Sequence, residues 1–240
     1  EEILGQIPII DFAIHPNDNQ TIYAGGYFEE RGRLLVTKDG GKSWNAIYTA
    51  ATNNSAVRSV ALNPNNPEQV AIGLTQGELI MSGDGGASWR LVQSYNDRIN
   101  KIVWNREGLY VLVKGTGLFK SIDGGNSFQL ITSGLNSSGN LASLSIFGDT
   151  ITSYNQIAIS NNNPQILYIT TNLGLYRSGN GGLSWGFVSM PLSQQSQPPT
   201  AIAIAPSTDN VIYVGAGNII YKTSDAGSTW SSSDSKTGNL

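Results

Sequence analysis

Short apolar runs separated by polar, glycine-rich stretches follow one another along the whole chain. The runs recur in a fixed order of four, and each is too short for a helix and is bounded by turn residues, which is typical of β-strands. The first runs begin at Phe12, Val60, Ile102, Ile157 and Ile202, and the second at Thr21, Gln69, Gly108, Ile166 and Val211. The third runs begin at Leu34, Leu79, Leu118, Leu175 and Ile220, and the fourth at Trp44, Trp89, Phe128, Trp185 and Trp230. This pattern predicts an all-β fold of five four-stranded antiparallel sheets.

The third and fourth runs of every repeat are joined by the same octapeptide, which reads TKDGGKSW, SGDGGASW, SIDGGNSF, SGNGGLSW and TSDAGSTW. The Asp or Asn at its third position can accept N–H groups of its own turn, so these side chains are predicted to be structural. The closing aromatic is predicted to plug the space between neighbouring sheets. The residues concerned are Asp39, Trp44, Asp84, Trp89, Asp123, Phe128, Asn180, Trp185, Asp225 and Trp230.

This octapeptide resembles the Asp box, or bacterial neuraminidase repeat, of sialidases, xyloglucanases, sortilin-type receptors and the photosystem II assembly factor family. Those proteins are β-propellers, so the resemblance implies a five-bladed β-propeller with a box in the turn between the third and fourth strands of each blade. It also implies that the boxes lie on the face away from the binding pocket. Asn180, Phe128 and Ala226 depart from the pattern by milder versions of the same chemistry. The third positions of successive copies lie 39 to 57 residues apart, which suits propeller blades.

We expect a single domain over residues 1–240, with blades at about 9–50, 56–94, 98–133, 154–190 and 200–233. The last run, after Trp230, is almost wholly polar and makes a poor outer strand. Residues 1–8, through Ile3 and Leu4, are therefore expected to add an outer strand to the last blade and close the ring, which would remove open sheet edges. The insertion at about 131–153 has no counterpart in the other repeats.

The composition argues against several classes of function. Charged residues make up 13% of the chain, against about 25% in a typical protein, and the net charge of −3 leaves no basic stripe for nucleic acid. No apolar run approaches the roughly 18 residues of a membrane span. With no cysteine, one histidine and no EF-hand spacing, we predict neither a metal site nor a cofactor. The single histidine, His15, occupies a turn column and is predicted to be structural.

Location is inferred from the same composition. The low charge and the glycosylation-type triplets at Asn19, Asn53 and Asn136 favour an extracellular or cell-surface protein whose leader has been removed.

Binding residues are expected on the loop face opposite the octapeptides, between second and third strands and between blades. The candidates are Tyr27, Glu29, Glu30, Arg31, Arg33, Tyr95, Asp97 and Arg98. Glu29 or Glu30 with Asp97 could supply the two carboxyl groups of a glycosidase. However, the segment Ile7–Ile9 lacks the arginine of the sialidase Arg-Ile-Pro triplet.

We therefore predict a non-catalytic recognition or scaffold module that binds protein or glycan through this face. The prediction includes self-assembly, or decoration of a filament or surface layer. The alternative is a divergent glycoside hydrolase, either sialidase-like or xyloglucanase-like.

Overall fold

A computed structural model describes residues 8–132, 135, 150–192 and 197–234. The proposed ring-closing residues 1–7, the triplet at Asn136 and most of the 131–153 insertion lie outside these residues. The chain divides into two compact units, which we describe separately. One comprises Glu1–Val113 with Phe119–Gln129, and the other comprises Lys114–Leu118 with Leu130–Leu240.

In the described residues, twenty strands form five four-stranded antiparallel sheets, and in each sheet consecutive strands are neighbours. Sheet 1 contains β1 (Ile9–His15), β2 (Asp18–Phe28), β3 (Arg31–Thr37) and β4 (Asn45–Thr49). Sheet 2 contains β5 (Val57–Asn63), β6 (Asn66–Leu74), β7 (Glu78–Ser82) and β8 (Arg90–Ser94). Sheet 3 contains β9 (Ile99–Asn105), β10 (Gly108–Val113), β11 (Gly117–Ser121) and β12 (Gln129–Leu130). Sheet 4 contains β13 (Tyr154–Ile159), β14 (Leu167–Thr171), β15 (Gly174–Ser178) and β16 (Gly186–Val188).

Sheet 5 contains β17 (Pro199–Ile204), β18 (Ile212–Ala216), β19 (Ile219–Thr223) and β20 (Ser231–Asp234). The polar β20 pairs antiparallel with β19, so the outer position of this sheet is already occupied by the segment that follows Trp230. The described residues contain no helix. The predicted all-β class with five four-stranded antiparallel sheets is confirmed.

Within each unit, consecutive sheets pack through two different faces. The leading face of a sheet, to which its second and third strands contribute, meets the trailing face of the next sheet, to which its first strand contributes. Gly25 on β2 allows this approach in the first unit, because a Cβ added there would lie 2.5 Å from Cγ1 of Val57 on β5. Gly73 on β6 allows the same approach to β9, because a Cβ added there would lie 2.5 Å from Cγ2 of Ile99.

In the second unit, the leading face of sheet 4 joins the trailing face of sheet 5 in one apolar cluster. Tyr168 and Leu175 are buried there, with Ile202 and Ile204 packed beside them. Both units therefore use the same pair of faces to join consecutive sheets.

A polar connection also links the first strands of sheets 1, 2 and 3. The carboxylate of Asp11 accepts hydrogen bonds from Ser59 Oγ (2.9 Å) and the Val60 N–H (3.1 Å) and contacts Lys101 Nζ at 2.8 Å. Ser59 Oγ in turn accepts the Ile102 N–H at 2.9 Å. One carboxylate thus ties three sheets together where their first strands run side by side.

The octapeptide turns are closed by their own side chains. In sheet 2, Ser82 Oγ donates to Asp84 Oδ1 (2.8 Å) and accepts the Gly86 N–H (2.8 Å), while Asp84 Oδ1 accepts the Ser88 N–H (2.8 Å). Gly86 has a φ of +98°, which favours glycine. Asn180 repeats the arrangement without charge, because its Nδ2 donates to Ser184 Oγ at 2.8 Å.

In sheets 2 to 5, the aromatic that ends the octapeptide contacts the preceding sheet. Trp89 Nε1 donates to the Ile47 carbonyl at 2.9 Å, and Trp185 and Trp230 make the same bond to the carbonyls of Ile131 (2.8 Å) and Ser189 (2.9 Å). Phe128 has no N–H and instead packs edge-on against Tyr95 with ring centroids 6.5 Å apart. Trp44, in sheet 1, donates to the Gly41 carbonyl of its own turn at 3.1 Å.

We expect Gly25→Ala to lower the free energy of unfolding by about 1 to 3 kcal/mol, because the new methyl group would overlap Val57. The matched control is Gly215→Ala on β18, where the only neighbour of the added Cβ among the described residues is Ala201 Cβ at 3.2 Å, and this change should cost much less. Urea denaturation of both variants measures the difference. Equal losses would show that the approach of the sheets does not require glycine.

Acid should weaken the octapeptide turns. Hydrogen bonds from Ser88 and Ser82 lower the pKa of Asp84 from 3.8 to about 2, and bonds from Thr229 and Thr223 lower the pKa of Asp225 to about 2. Since the unfolded chain ionises at the higher value, the stabilisation is complete above about pH 4 and is lost as the pH falls towards 2.

The double variant Asp84→Asn/Asp225→Asn should therefore lose less thermal stability than the wild type between pH 5 and about pH 2. Asn180 shows that an amide can close the turn, so the variant should remain folded at neutral pH. Asp97→Asn, outside the turns, is the control for the loss of a carboxylate, to be compared with each of the single variants Asp84→Asn and Asp225→Asn. Parallel melting curves for the wild type and the double variant across this range would contradict the assignment.

Candidate functional site

The β2–β3 hairpin carries five of the eight predicted binding residues. Phe28 pairs with Arg31, so the loop consists of Glu29 and Glu30 alone, with φ angles of +47° and +64°. Positive φ at both loop residues is the type I′ geometry that normally selects Asn-Gly. Two glutamates hold this strained conformation at the tip, and Glu29 Oε2 lies 3.2 Å from Arg33 Nη2.

Two neighbouring loops hold the hairpin from the side. The hydroxyl of Tyr27 donates to Asn54 Oδ1 at 2.9 Å, and Arg31 Nε donates to Asn53 Oδ1 at 3.2 Å. The Asn53 carbonyl accepts Gln76 Nε2 at 2.9 Å. Asn53, Asn54 and Gln76 were not among the predicted site residues, although the first two lie in a connection between repeats where binding loops are expected. We call the hairpin tip and these three residues the rim.

Tyr95, Asp97 and Arg98 lie on the β8–β9 connection of the same unit. This connection meets the rim through main-chain contact, because the Tyr95 N–H donates to the Gly77 carbonyl at 3.0 Å, next to Gln76. Asp97 Oδ1 accepts the Arg98 N–H at 2.7 Å. The structure thus links the two predicted groups through the residues around Gln76.

Tyr95 has a packing role in addition to its position near the rim. Its ring centroid lies 4.8 Å from that of Phe119, and burial raises the pKa of its hydroxyl. That hydroxyl is buried and has no hydrogen-bond partner among the described residues. The Tyr95 ring therefore anchors the β8–β9 connection to the following sheet through its contact with Phe119.

Arg58 is a candidate that the sequence analysis missed. Near its start, each first strand contains a register shift that leaves one residue unpaired, and these residues are Ile10, Arg58, Asn100, Asn155 and Thr200; β1 and β5 contain a second shift at their other end. A β-bulge redirects the side chain of the extra residue and is common beside functional sites. The bulges depend on pairing between strands, so no local pattern in the sequence announces them.

Arg58 and Arg98 form a pair of like charges. Burial first, and then the charge of Arg98, lower the pKa of Arg58, and Arg58 Nε is buried without a hydrogen-bond partner among the described residues. Arg98 Nε donates to Asn100 Oδ1 at 2.9 Å, so the pair lies beside a second bulge residue. The arrangement offers guanidinium donors to an oxygen-rich ligand, since arginine binds carboxylates in a two-pronged geometry.

Other chemistry finds little support in the described part of the chain. It contains no cluster of three or more His, Asp or Glu side chains that could hold a metal ion. None of its segments is a helix long and apolar enough to cross a bilayer. The ring of His15 accepts the Asn17 N–H through Nδ1 at 3.3 Å, within the β1–β2 turn.

No family model and no curated protein matches the chain. Among solved structures, it is similar to a GH74 enzyme of Niastella koreensis, with 19% identity, a TM-score of 0.73 and coverage of 96% of this chain and 38% of that one. It is also similar to YCF48 bound to a D1 peptide, with 16% identity, a TM-score of 0.51 and coverage of 95% and 82%. The WD40 β-propeller domain of Doa1 matches with 10% identity, a TM-score of 0.62 and coverage of 92% and 66%. The fold is that of a five-bladed β-propeller.

Each four-stranded sheet is thus one blade of the propeller. The chain spans well under half the length of the first GH74 structure it matches. At these identities the comparisons establish the fold alone. The function therefore has to be argued from the rim and the neighbouring arginine pair of this propeller.

Replacing Glu29-Glu30 with Asn-Gly should raise the free energy of unfolding by about 1 kcal/mol, because the new loop adopts positive φ at lower cost. The lost contact between Glu29 and Arg33 is partly exposed and offsets only a fraction of this gain. Glu29→Gln/Glu30→Gln is the matched control, since it removes the charges and leaves the strain. A lower melting temperature for the Asn-Gly variant would mean that the glutamate side chains stabilise the hairpin.

Proposed function

We propose that this propeller is a non-catalytic recognition or scaffold module that binds a protein or glycan through its loop face. The observation that carries the proposal is the rim with its adjacent arginine pair in the first unit. Amides, a tyrosine hydroxyl and guanidinium groups are held there by hydrogen bonds between three loops. Binding loops on a rigid scaffold commonly hold polar groups in fixed positions of this kind.

The chemistry of the rim favours a ligand that offers carboxylate or hydroxyl oxygens. Burial and then the charge of Arg98 lower the pKa of Arg58, and a ligand anion would favour the charged form of Arg58. An acidic peptide segment or an acidic glycan has the required groups. The similarity to YCF48, solved with a D1 peptide, supports the peptide over the glycan.

The glycoside hydrolase alternative draws on the GH74 neighbours. It requires Glu29 or Glu30 to work with Asp97 across a sugar-binding cleft. Glu29 instead contacts Arg33 at the hairpin tip, and Asp97 accepts the neighbouring main-chain N–H. These contacts support structural roles for both carboxylates, and so favour binding over hydrolysis.

The remaining parts of the proposal concern location and assembly. An extracellular or cell-surface setting is supported by the low charge and by the exposure of the triplet residues Asn19 and Asn53. The assignment of the octapeptides to Asp boxes is supported by the closed turns and by their consumed carboxylates. The proposal also includes self-assembly of this protein, or decoration of a filament or surface layer by it.

The test uses the full chain on a glycan array and on a peptide array that includes acidic sequences, together with a panel of chromogenic glycosides. We expect binding without turnover. Arg98→Ala and Arg31→Ala should each weaken binding of the selected ligand by about tenfold, the loss of one charge-assisted contact. Arg90→Ala, on the outer strand β8, is the matched control and should bind like the wild type.

Turnover of a glycoside that disappears in Glu29→Gln or Asp97→Asn would replace this proposal with the hydrolase alternative. Binding that is equally weakened by Arg90→Ala would place the contact surface outside the rim. An intact melting curve for each variant separates a lost contact from a lost fold.

A further inference from the structure

The polar tie across sheets 1, 2 and 3 lies beside the bulges of their first strands. It is made by Asp11, Ser59 and Lys101, and each of these residues follows the bulge residue of its own strand. Those bulge residues are Ile10, Arg58 and Asn100. The middle one, Arg58, belongs to the arginine pair, so the tie and the pair share one short segment of β5.

The main chain next to Arg58 is held by both neighbouring first strands. Oδ2 of Asp11, on β1, accepts the hydroxyl of Ser59 at 2.9 Å and the Val60 N–H at 3.1 Å. Ser59 Oγ in turn accepts the Ile102 N–H of β9 at 2.9 Å, and Ser59 is fully buried. A bulge sets the direction of its extra side chain through the main chain, so these bonds fix the direction of the Arg58 side chain.

Lys101 extends the tie to the segment that holds Arg98. Its Nζ lies 2.8 Å from each carboxylate oxygen of Asp11, and both side chains are partly buried, so water and salt screen this ion pair less than a surface pair. Asn100, the residue before Lys101, accepts a hydrogen bond from Arg98 Nε at 2.9 Å. One ion pair thus joins the segment beside Arg58 to the segment that orients Arg98.

The second unit joins its first strands in a different way. Its bulge residue Asn155 donates Nδ2–H to the Pro199 carbonyl of β17 at 2.9 Å and accepts the hydroxyl of Ser153 through Oδ1 at 2.6 Å. There the bulge side chain itself makes the connection between sheets. In the first unit the residues after the bulges make it, and Arg58 Nε is buried without a hydrogen-bond partner among the described residues. The tie therefore leaves the Arg58 guanidinium available to a ligand.

We propose that Asp11 and Lys101 are positioning residues for the arginine pair, Arg58 and Arg98, and hold it in place for a carboxylate ligand. They act through the main chain of the two bulges. Because Lys101 contacts both oxygens of Asp11, it also keeps this carboxylate from neutralising the pair. Groups that are fixed before a ligand arrives lose less conformational freedom on binding, which favours affinity. The inference deepens the proposed function and rests on it for the role of the arginine pair.

Hydrogen exchange of the arginine Nε–H groups, followed by ¹⁵N NMR of the full chain, tests the positioning without any ligand. Asp11→Ala should speed the exchange of the Arg58 Nε–H about tenfold or more, because the contacts that hold the bulge are lost. Arg33 is the internal reference, since its Nε is also buried without a partner among the described residues and it lies outside the tie. Its exchange should change by less than about twofold.

Asn155→Ala is the matched control, because it removes the corresponding connection between first strands in the second unit. It should leave the exchange at Arg58 as in the wild type. Equal acceleration at Arg58 in both variants would show a general loosening of the fold and would contradict the inference. Asp11→Asn keeps an acceptor for Ser59 and loses the charge that faces Lys101, so it should give a smaller increase. Unchanged exchange at Arg58 in a folded Asp11 variant would also overturn the inference.

Titration with glutarate, a dicarboxylate, measures the consequence for binding through the same Arg58 signal. The wild type should bind it, and Asp11→Ala and Lys101→Met should each raise the dissociation constant about tenfold, whereas Asn155→Ala should bind like the wild type. Equal binding by the wild type and Asp11→Ala would refute the positioning role. A wild type that does not respond to glutarate would instead contradict the carboxylate-binding part of the proposed function, and the exchange at Arg58 would still decide the role of Asp11.

Discussion

The octapeptide turn is the constraint on which the propeller depends. Its Ser or Thr hydroxyl and its Asp or Asn side chain accept N–H groups of the turn itself, as in Thr37 with Asp39 and Ser121 with Asp123. One further N–H ties the turn to its own sheet, as where the Gly40 N–H donates to the Gln20 carbonyl at 2.9 Å, and in sheets 2 to 5 the aromatic at the end of the turn contacts the preceding sheet. Because the carboxylates are occupied within the turn, they are not available as catalytic groups.

Close packing between consecutive blades follows from the residues that the turn brings into register. Small residues on the second strand, such as Gly25 and Gly73, admit the β-branched side chains of the next first strand. Asp11 adds a polar tie across three first strands, and its charge is matched by Lys101 at 2.8 Å. Apolar packing and a satisfied polar contact therefore act on the same pair of faces.

Local chemistry made the fold predictable, and longer-range pairing limited what could be predicted of the site. A pattern of only a few residues specifies each strand and turn, and it recurs five times. The four-stranded sheets could therefore be predicted from the sequence. The polar Ser231–Asp234 still forms a strand, because its ladder with β19 relies on main-chain groups that no side-chain pattern reveals. The bulge that presents Arg58 arises from the register between β5 and β6. Tyr95 was predicted from its loop position, but its ring contacts come from Phe119 and Phe128 of the following sheet.

The hairpin tip supplies the last step of the argument for a binding face. Within the described ranges, every other residue with positive φ is a glycine, with the exceptions of Asn54 and Ala226, yet Glu29 and Glu30 occupy the two most demanding positions of a type I′ loop. An Asn-Gly pair would relieve the backbone strain of this loop. Such strain is commonly retained at positions where the side chains are needed. Glu29 orients Arg33, whose guanidinium lies 5.7 Å from the Phe28 ring centroid, and the tip is held by Asn54 through the Glu30 carbonyl at 2.7 Å. The hairpin is locally less stable than one with an Asn-Gly loop, but it holds charged side chains in fixed positions. This arrangement is expected of a surface that recognises a partner.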